Sequence, residues 1–205
     1  MPADSDIPLS LGLDAWLVRL SEAHGAPGGG SAAGVMLGLS AALLHMVSAY
    51  TPENAEAQAS GERLAALRER SLEAGRADGI ASVALGEALA SHGPERGGRV
   101  RARAIAGARS SARLGAIGIA LSHELTVIAA VGNLHVVADT GVAAEALRAA
   151  LGAALINLRS NLALARKHSS FHDASDDIDE LTVEADRLQA SRSSVEQLLA
   201  TLPLE

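Results

Sequence analysis

A spacing of four residues places Gly30, Gly34, Gly38 and Ala42 about one turn apart along a helix, where together they form a ridge without side-chain bulk. Such a ridge lets a second backbone approach closely, and a chain that contains one must supply a partner helix to fill the space. The rest of the sequence agrees, because only 1% of its residues are aromatic while alanine is abundant. Few rings are available to fill the gap between two sheets, so the expectation is an all-α fold, an antiparallel bundle of about five to seven helices. With 205 residues, 48% of them apolar and 20% charged, the chain is expected to form a single domain spanning residues 1–205.

Several classes of protein are disfavoured at once. The chain has no cysteine, which removes disulfide scaffolds, cysteine-based zinc sites and thiol nucleophiles, and points to a reducing, cytoplasmic setting. A net charge of −7 argues against a nucleic-acid partner. The opening "MPADSDIPLSLG" lacks the basic and apolar regions of an export signal. Residues 32–49 approach membrane-spanning length, but they are rich in Gly, Ala and Ser, include His45 and have no flanking Lys or Arg, so no membrane partner is expected.

Periodicity and breakers give the element order. A short first helix carries Leu13, Trp16, Leu17 and Leu20, with Ser10 as its expected cap. The second is expected over 31–50, ending at Thr51-Pro52. A third starts near Glu53 and is open to interruption at Gly75 or Gly79, before the loop signals Gly93-Pro94 and Gly97-Gly98. A fourth spans about 99–130, and a fifth follows "VGNLHVVADTG" and runs to about 167. The acidic stretch "HDASDDIDE" opens the last, amphipathic helix.

The segment that opens the second helix, "HGAPGGGSAAG", is the first functional candidate. Gly28, Gly29 and Gly30 followed by Ser31 bring unpaired N–H groups to an open helix start, which attracts anions, with Ser31 the expected cap. No strand precedes it and no Lys-Ser/Thr pair follows, so it is not a nucleotide phosphate loop. Tight packing explains the ridge by itself, and close approach of a ligand is the other reading. Near the C-terminus, His168 and His172 lie at i,i+4 beside Asp173, Asp176 and Asp177, a spacing that can hold a divalent metal; capping and solvation explain the same residues, and no metal site is assigned. His45, on an apolar helix, reads as a core residue.

Pro27-Gly28-Gly29-Gly30-Ser31-Ala32-Ala33, followed by a small-residue helix ending in "HMVSAYT", resembles the start of the cyclodeaminase/cyclohydrolase family. The later block "GNLHVVADTGVAAEALRAALGAALINLRSNL" is similar to the family's Gly-Asn-x-x-x-x-Ser-Asp-x-x-Val-Ala-Ala segment and its Asn-x-x-x-Asn-Leu helix. The resemblance implies a helical bundle that forms a homodimer and a one-carbon-substituted tetrahydrofolate as substrate. The implied reaction is hydrolysis of 5,10-methenyltetrahydrofolate to 10-formyltetrahydrofolate, cyclisation of 5-formiminotetrahydrofolate with loss of ammonia, or both. Neither reaction needs a cofactor; both need proton transfer and stabilisation of a cationic amidine, which carboxylates can supply.

By the same resemblance, Asp78 and Asp139 are the catalytic candidates. Asp78 matches the aspartate of an Asp-x-Glu-Ala-Phe segment, although here the Glu and Phe positions hold Ile80 and Ser82. Asp139 matches the Ser-Asp position, with Ala138 in place of Ser, and sits where a helix from Val142 is expected to begin, so that a helix cap is the other reading of this residue. Pro27, Gly28, Gly29, Gly30, Ser31, Asn133, His135, Asn157 and Asn161 are the candidate binding residues. A Lys-rich stretch expected after the second helix is replaced by Thr51-Pro52-Glu53-Asn54, so Arg96, Arg99, Arg101, Arg103, Arg109 and Arg113 are candidates to meet an anionic tail, or else form a solvated face. A homologue that binds folate without turnover, and a helical protein that only associates, are the competing functional classes.

Overall fold

The computed structural model describes residues 12–23, 25–169 and 176–204. Among them six helices form: α1 (Leu13–Leu20), α2 (Gly29–Ala49), α3 (Ala55–Ala90), α4 (Arg96–Val131), α5 (Val137–Lys167) and α6 (Asp176–Leu199). A 3-10 turn, Leu134–Val136, precedes α5. The fold is an all-α bundle, and its short connections turn successive long helices antiparallel. α2 packs on α3, α4 and α5, and α6 covers α4 and α5, leaving Leu37, Leu44, Leu121, Leu151 and Leu158 in a core with almost no solvent exposure.

The glycine ridge is where α2 and α3 meet. A Cβ on Gly34 would lie 2.7 Å from both the Cα of Gly75 and the carbonyl oxygen of Ser71, so the two backbones touch. Gly75, expected as a possible break, instead sits inside an unbroken α3, and its carbonyl accepts a hydrogen bond of 3.0 Å from the Ser31 hydroxyl. Ser31 therefore ties α2 to α3 and does not cap; Gly28 is the N-cap, and α2 starts two residues before the expected position. Gly30 and Gly38 also face α3, against Asp78 and Leu72, but Ala42 is exposed, since a four-residue step advances about 400° and the ridge drifts about 40° per turn.

The start of α5 differs from expectation too. Val137 begins it, so Asp139 lies within its first turn and caps nothing. The turn is held by Asn133, whose side chain accepts from the His135 N–H at 2.9 Å and donates to the Tyr50 carbonyl at 3.0 Å. Asn54 caps α3, accepting from Glu56 and Ala57. The expected Ser10 cap lies outside the described residues; Gly12 is the N-cap of α1.

Farther along the α3–α4 seam, Glu124 is buried and accepts two bonds from the Arg63 guanidinium, at 2.7 and 2.9 Å, and one from the Ser60 hydroxyl at 2.7 Å. Burial alone would raise its pKa, but the Arg63 and Ser60 hydrogen bonds outweigh it and hold the carboxyl below its usual range. Three segments, Gly29–Ala49, Arg96–Val131 and Leu134–Lys167, are long and apolar enough to cross a membrane by length and composition, with 44–50% of their most apolar windows buried inside the bundle.

The ridge makes a paired prediction for chemical denaturation. Gly34→Ala is expected to destabilise by about 1–3 kcal/mol, because backbone atoms must move apart. Gly86→Ala, in a helical position with nothing within 4 Å of the added Cβ, is expected to stabilise by about 0.5–1 kcal/mol.

Candidate functional site at the start of α2

The close approach of α2 and α3 carries the first turn of α2 onto a carboxylate. Asp78, in α3, is 5% exposed, and a Cβ added to Gly30 would overlap its carboxyl group. Glycine at position 30 is therefore required by the aspartate. Ser82, one turn along α3, and Ser110 and Ser111 of α4 bring their hydroxyls close to the Asp78 side chain, and the Ser111 hydroxyl itself donates to the Gly107 carbonyl at 3.0 Å. From α5, the Asn157 amide lies against Gly29, and the Asn161 amide lies on Gly107 of α4, where a Cβ would be 2.9 Å from its Nδ2.

These groups enclose a cavity of about 140 Å³ lined by Gly29, Gly30, Asp78, Ser82, Asn157, Ser160 and Asn161. Asp78 is the sole ionisable group in that lining, which is otherwise hydroxyl, amide and glycine backbone. Burial pushes the Asp78 carboxyl above the usual carboxylate range, while the hydroxyls of Ser110, Ser82 and Ser111 pull it partly back. A carboxyl in this setting can hold a proton nearer to neutrality than an exposed one, and when ionised it has no cation beside it within the cavity.

The candidate binding residues separate into two groups. Gly29, Gly30, Asp78, Asn157 and Asn161 come together, with Ser31 one residue behind and Pro27 and Gly28 in the approach to α2. Asn133, His135 and Asp139 lie at the opposite end of the bundle, where Asn133 is bonded to the end of α2. Asp139 and Asn157 are separated along α5 by about 27 Å of helical rise. One chain therefore does not bring Asp78 and Asp139 to the same point.

Ser82, Ser110, Ser111 and Ser160 are not among the residues that the sequence singles out. The i,i+4 relation of Asp78 and Ser82 is a local signal; the α4 serines become partners only through helix packing. Ile80, which stands where the resemblance expects Glu, is 52% exposed and lies outside the cavity, whereas Ser82, at the Phe position, lines it.

The arginines of α4 do not converge on Asp78. Arg109 pairs with Asp177 at 2.6 Å and Arg101 bonds Ser169, while Arg99 and Arg103 line a separate cavity of about 340 Å³ on the side of α3 turned away from Asp78. A third cavity, of about 180 Å³ between α4 and α6, contains His123 and several hydroxyls; neither of these two has a buried carboxyl in its lining. His168 lies near Gly97, whereas His172 and Asp173 fall outside the described residues. No cluster of three metal-ligating side chains occurs among the described residues.

Residues 12–180 match the family model for formiminotransferase-cyclodeaminase. The chain belongs to that family. No curated protein sequence matches it at a significant level. Among solved structures, the crystal structure of a formiminotetrahydrofolate cyclodeaminase from Thermotoga maritima is similar, with 21% identity and a TM-score of 0.76 over 93% of this chain and 96% of the other. At that identity the likeness establishes a shared fold. The family match includes Asp78 and both glycine-rich blocks, and ends in the second turn of α6.

The raised Asp78 pKa has a measurable sign. An acid that is harder to ionise in the folded state costs stability when charged: the cost is absent below the unfolded pKa of about 3.9, grows as pH rises through the folded value, and is complete above it. The stability of Asp78→Asn relative to the unsubstituted chain is therefore expected to rise as pH increases from about 4 and then level off, as read by urea denaturation across pH.

Proposed function

We propose that the chain is a tetrahydrofolate one-carbon enzyme that interconverts substituents at the bridge between two folate nitrogens, with Asp78 as its proton-transferring residue. The observation that carries this reading is the buried Asp78 carboxyl at the glycine start of α2, surrounded by hydroxyls and amides and by no cationic side chain in the cavity lining. Family membership supports the substrate class.

Two reactions suit the pocket. In cyclisation of 5-formiminotetrahydrofolate, N10 attacks the formimino carbon, the carbon–nitrogen bond to the departing ammonia breaks, and the 5,10-methenyl cation forms. N10 loses one proton, and the leaving nitrogen gains that proton and one more from solution. Asp78 can accept at N10 and donate to the leaving nitrogen, and a carboxyl with a raised pKa is suited to both steps. In hydrolysis of the methenyl form, water adds to the cationic carbon, one bridge bond opens to give 10-formyltetrahydrofolate, and a proton is released; ionised Asp78 can take it from the attacking water. Neither reaction changes an oxidation state. The ionised carboxylate also stabilises the amidinium cation electrostatically in a pocket that contains no competing positive charge.

Asn157 and Asn161, one turn apart on α5, hold amide donors and acceptors at the cavity wall and are suited to orienting the polar edge of a pterin. The glycines at 29 and 30 present bare backbone in the cavity lining, a surface suited to contact with a flat ring. The proposed working form is a cytoplasmic homodimer.

The test is the absorbance of 5,10-methenyltetrahydrofolate, followed as it is consumed by hydrolysis or formed from the formimino substrate. Turnover above the buffer rate is expected, and Asp78→Asn should reduce kcat by on the order of 10²–10⁴-fold. Wild-type rates no faster than buffer with both substrates, or an Asp78→Asn variant of undiminished kcat, would sink the proposal.

A further inference from the structure

The cavity bordered by Arg99 and Arg103 has no part in the reaction proposed at Asp78. It is the largest of the three cavities described above, and its volume of about 340 Å³ falls within the range of about 300–1,000 Å³ that small-molecule sites occupy. The apolar part of its lining consists of Ala84 and Ala88 from α3 and Ala102 from α4. Each contributes only a methyl group, which leaves the space between the two helices open.

The charged part of the lining is divided by helix. Glu87 lies on α3, whereas Arg99 and Arg103 lie one turn apart on α4. Arg99 is already committed. One of its terminal nitrogens donates to the His92 carbonyl at 2.9 Å and to the Ser91 hydroxyl at 3.3 Å, and the other pairs with Glu95 at 3.5 Å. The Ser91 hydroxyl in turn donates to the Ala88 carbonyl at 2.7 Å, so the rim at the α3–α4 turn is a set of mutually satisfied groups. Glu87 and Arg103 differ from this rim. Among the described residues neither side chain has a hydrogen bond or an ion pair, and the two do not pair with each other although they border the same cavity.

An alanine-lined cavity therefore has one unused anion on one helix and one unused cation on the other. Glu95 offsets Arg99, so the two remaining charges cancel. A simple anion placed there satisfies Arg103 but is repelled by Glu87, and a simple cation meets the converse; a molecule carrying both charges satisfies both walls. The helix ends have the same polarity. Glu87 is in the last turn of α3, whose carbonyl end favours cations, and Arg99 is in the first turn of α4, whose N–H end favours anions.

We propose that this cavity binds a small zwitterion, a free amino acid, with its carboxylate on Arg103 and its ammonium on Glu87. The Arg103 guanidinium offers a planar fork that matches a carboxylate through two parallel hydrogen bonds. The Glu87 carboxylate accepts from the ammonium, and the methyl-lined wall takes a short aliphatic side chain. The site lies on the side of α3 turned away from Asp78, so it is separate from the pocket at the start of α2 and does not depend on the folate reading.

Isothermal titration of the full chain with glycine, L-alanine, L-valine and L-leucine tests the assignment, with propionate and ethylamine as the single-charge counterparts of alanine. At least one amino acid is expected to bind with a Kd of about 1 mM or below, and the single-charge compounds should bind about tenfold more weakly or not at all. Glu87→Gln and Arg103→Gln should each weaken binding by about tenfold or more, as the loss of a charge-assisted hydrogen bond implies. Both side chains are exposed and bond nothing within the chain, so these variants keep the fold. Arg70→Gln, at an exposed position elsewhere on α3, and Asp78→Asn should leave the affinity unchanged. The proposal is overturned by the failure of all four amino acids to bind, by propionate binding as tightly as alanine, or by unaltered affinity in both Glu87→Gln and Arg103→Gln. Loss of binding in Asp78→Asn would place the ligand in the other pocket and overturn it equally.

Discussion

Backbone contact between α2 and α3 at Gly34 and Gly75 sets the position of everything near the pocket. With side chains at either position the two helices would stand apart by the width of at least a methyl group, and the first turn of α2 would no longer rest on Asp78. The Ser31 hydroxyl, bonded to the Gly75 carbonyl, fixes the register of that contact. Gly30 then follows as a local necessity, since the Asp78 carboxyl occupies the volume of its missing Cβ. Along the same helix, Gly34 and Gly38 serve the packing, while one turn earlier Gly29 and Gly30 line the cavity beside Asp78.

Two carboxylates are buried along the α3–α4 seam, and their surroundings push them in opposite directions. Glu124 receives a bidentate guanidinium and a hydroxyl, which hold it ionised and make it a tie between α3 and α4. Asp78 is given hydroxyls and amides but no cation in its cavity, so burial raises its pKa. A satisfied ion pair has little capacity to exchange protons with a ligand, whereas a carboxyl poised by desolvation does. The same fold thus uses one buried acid for structure and leaves the other available for chemistry.

Helix number, order and antiparallel arrangement are legible from periodicity and from Pro and Gly breakers, because these are local properties. The sequence misleads where tertiary contacts override local preference. Gly75 reads as an interruption because its close approach to Gly34 is nonlocal. Ser31 reads as a cap because its actual acceptor lies 44 residues away. Asp139 reads as a cap because the 3-10 turn held by Asn133, and the helix that starts directly after it, leave no clear signal in the sequence. The site is legible in part: family resemblance points to Asp78, Gly29, Gly30, Asn157 and Asn161, and packing gathers them. The serines contributed by α4 are invisible because nothing local marks them. The 133–139 block belongs to the other end of the same chain, a separation that linear order cannot reveal.

Whether the one-carbon bridge of a folate is handled at Asp78 is tested most directly by a crystal structure with 5-formyltetrahydrofolate, a stable analogue, bound. The formyl-bearing nitrogen is expected at the start of α2, within hydrogen-bonding distance of the Asp78 carboxyl, with the pterin edge on Asn157 or Asn161. A ligand seated in the cavity at Arg99 and Arg103, or one whose one-carbon group lies beyond the reach of Asp78, would contradict that role.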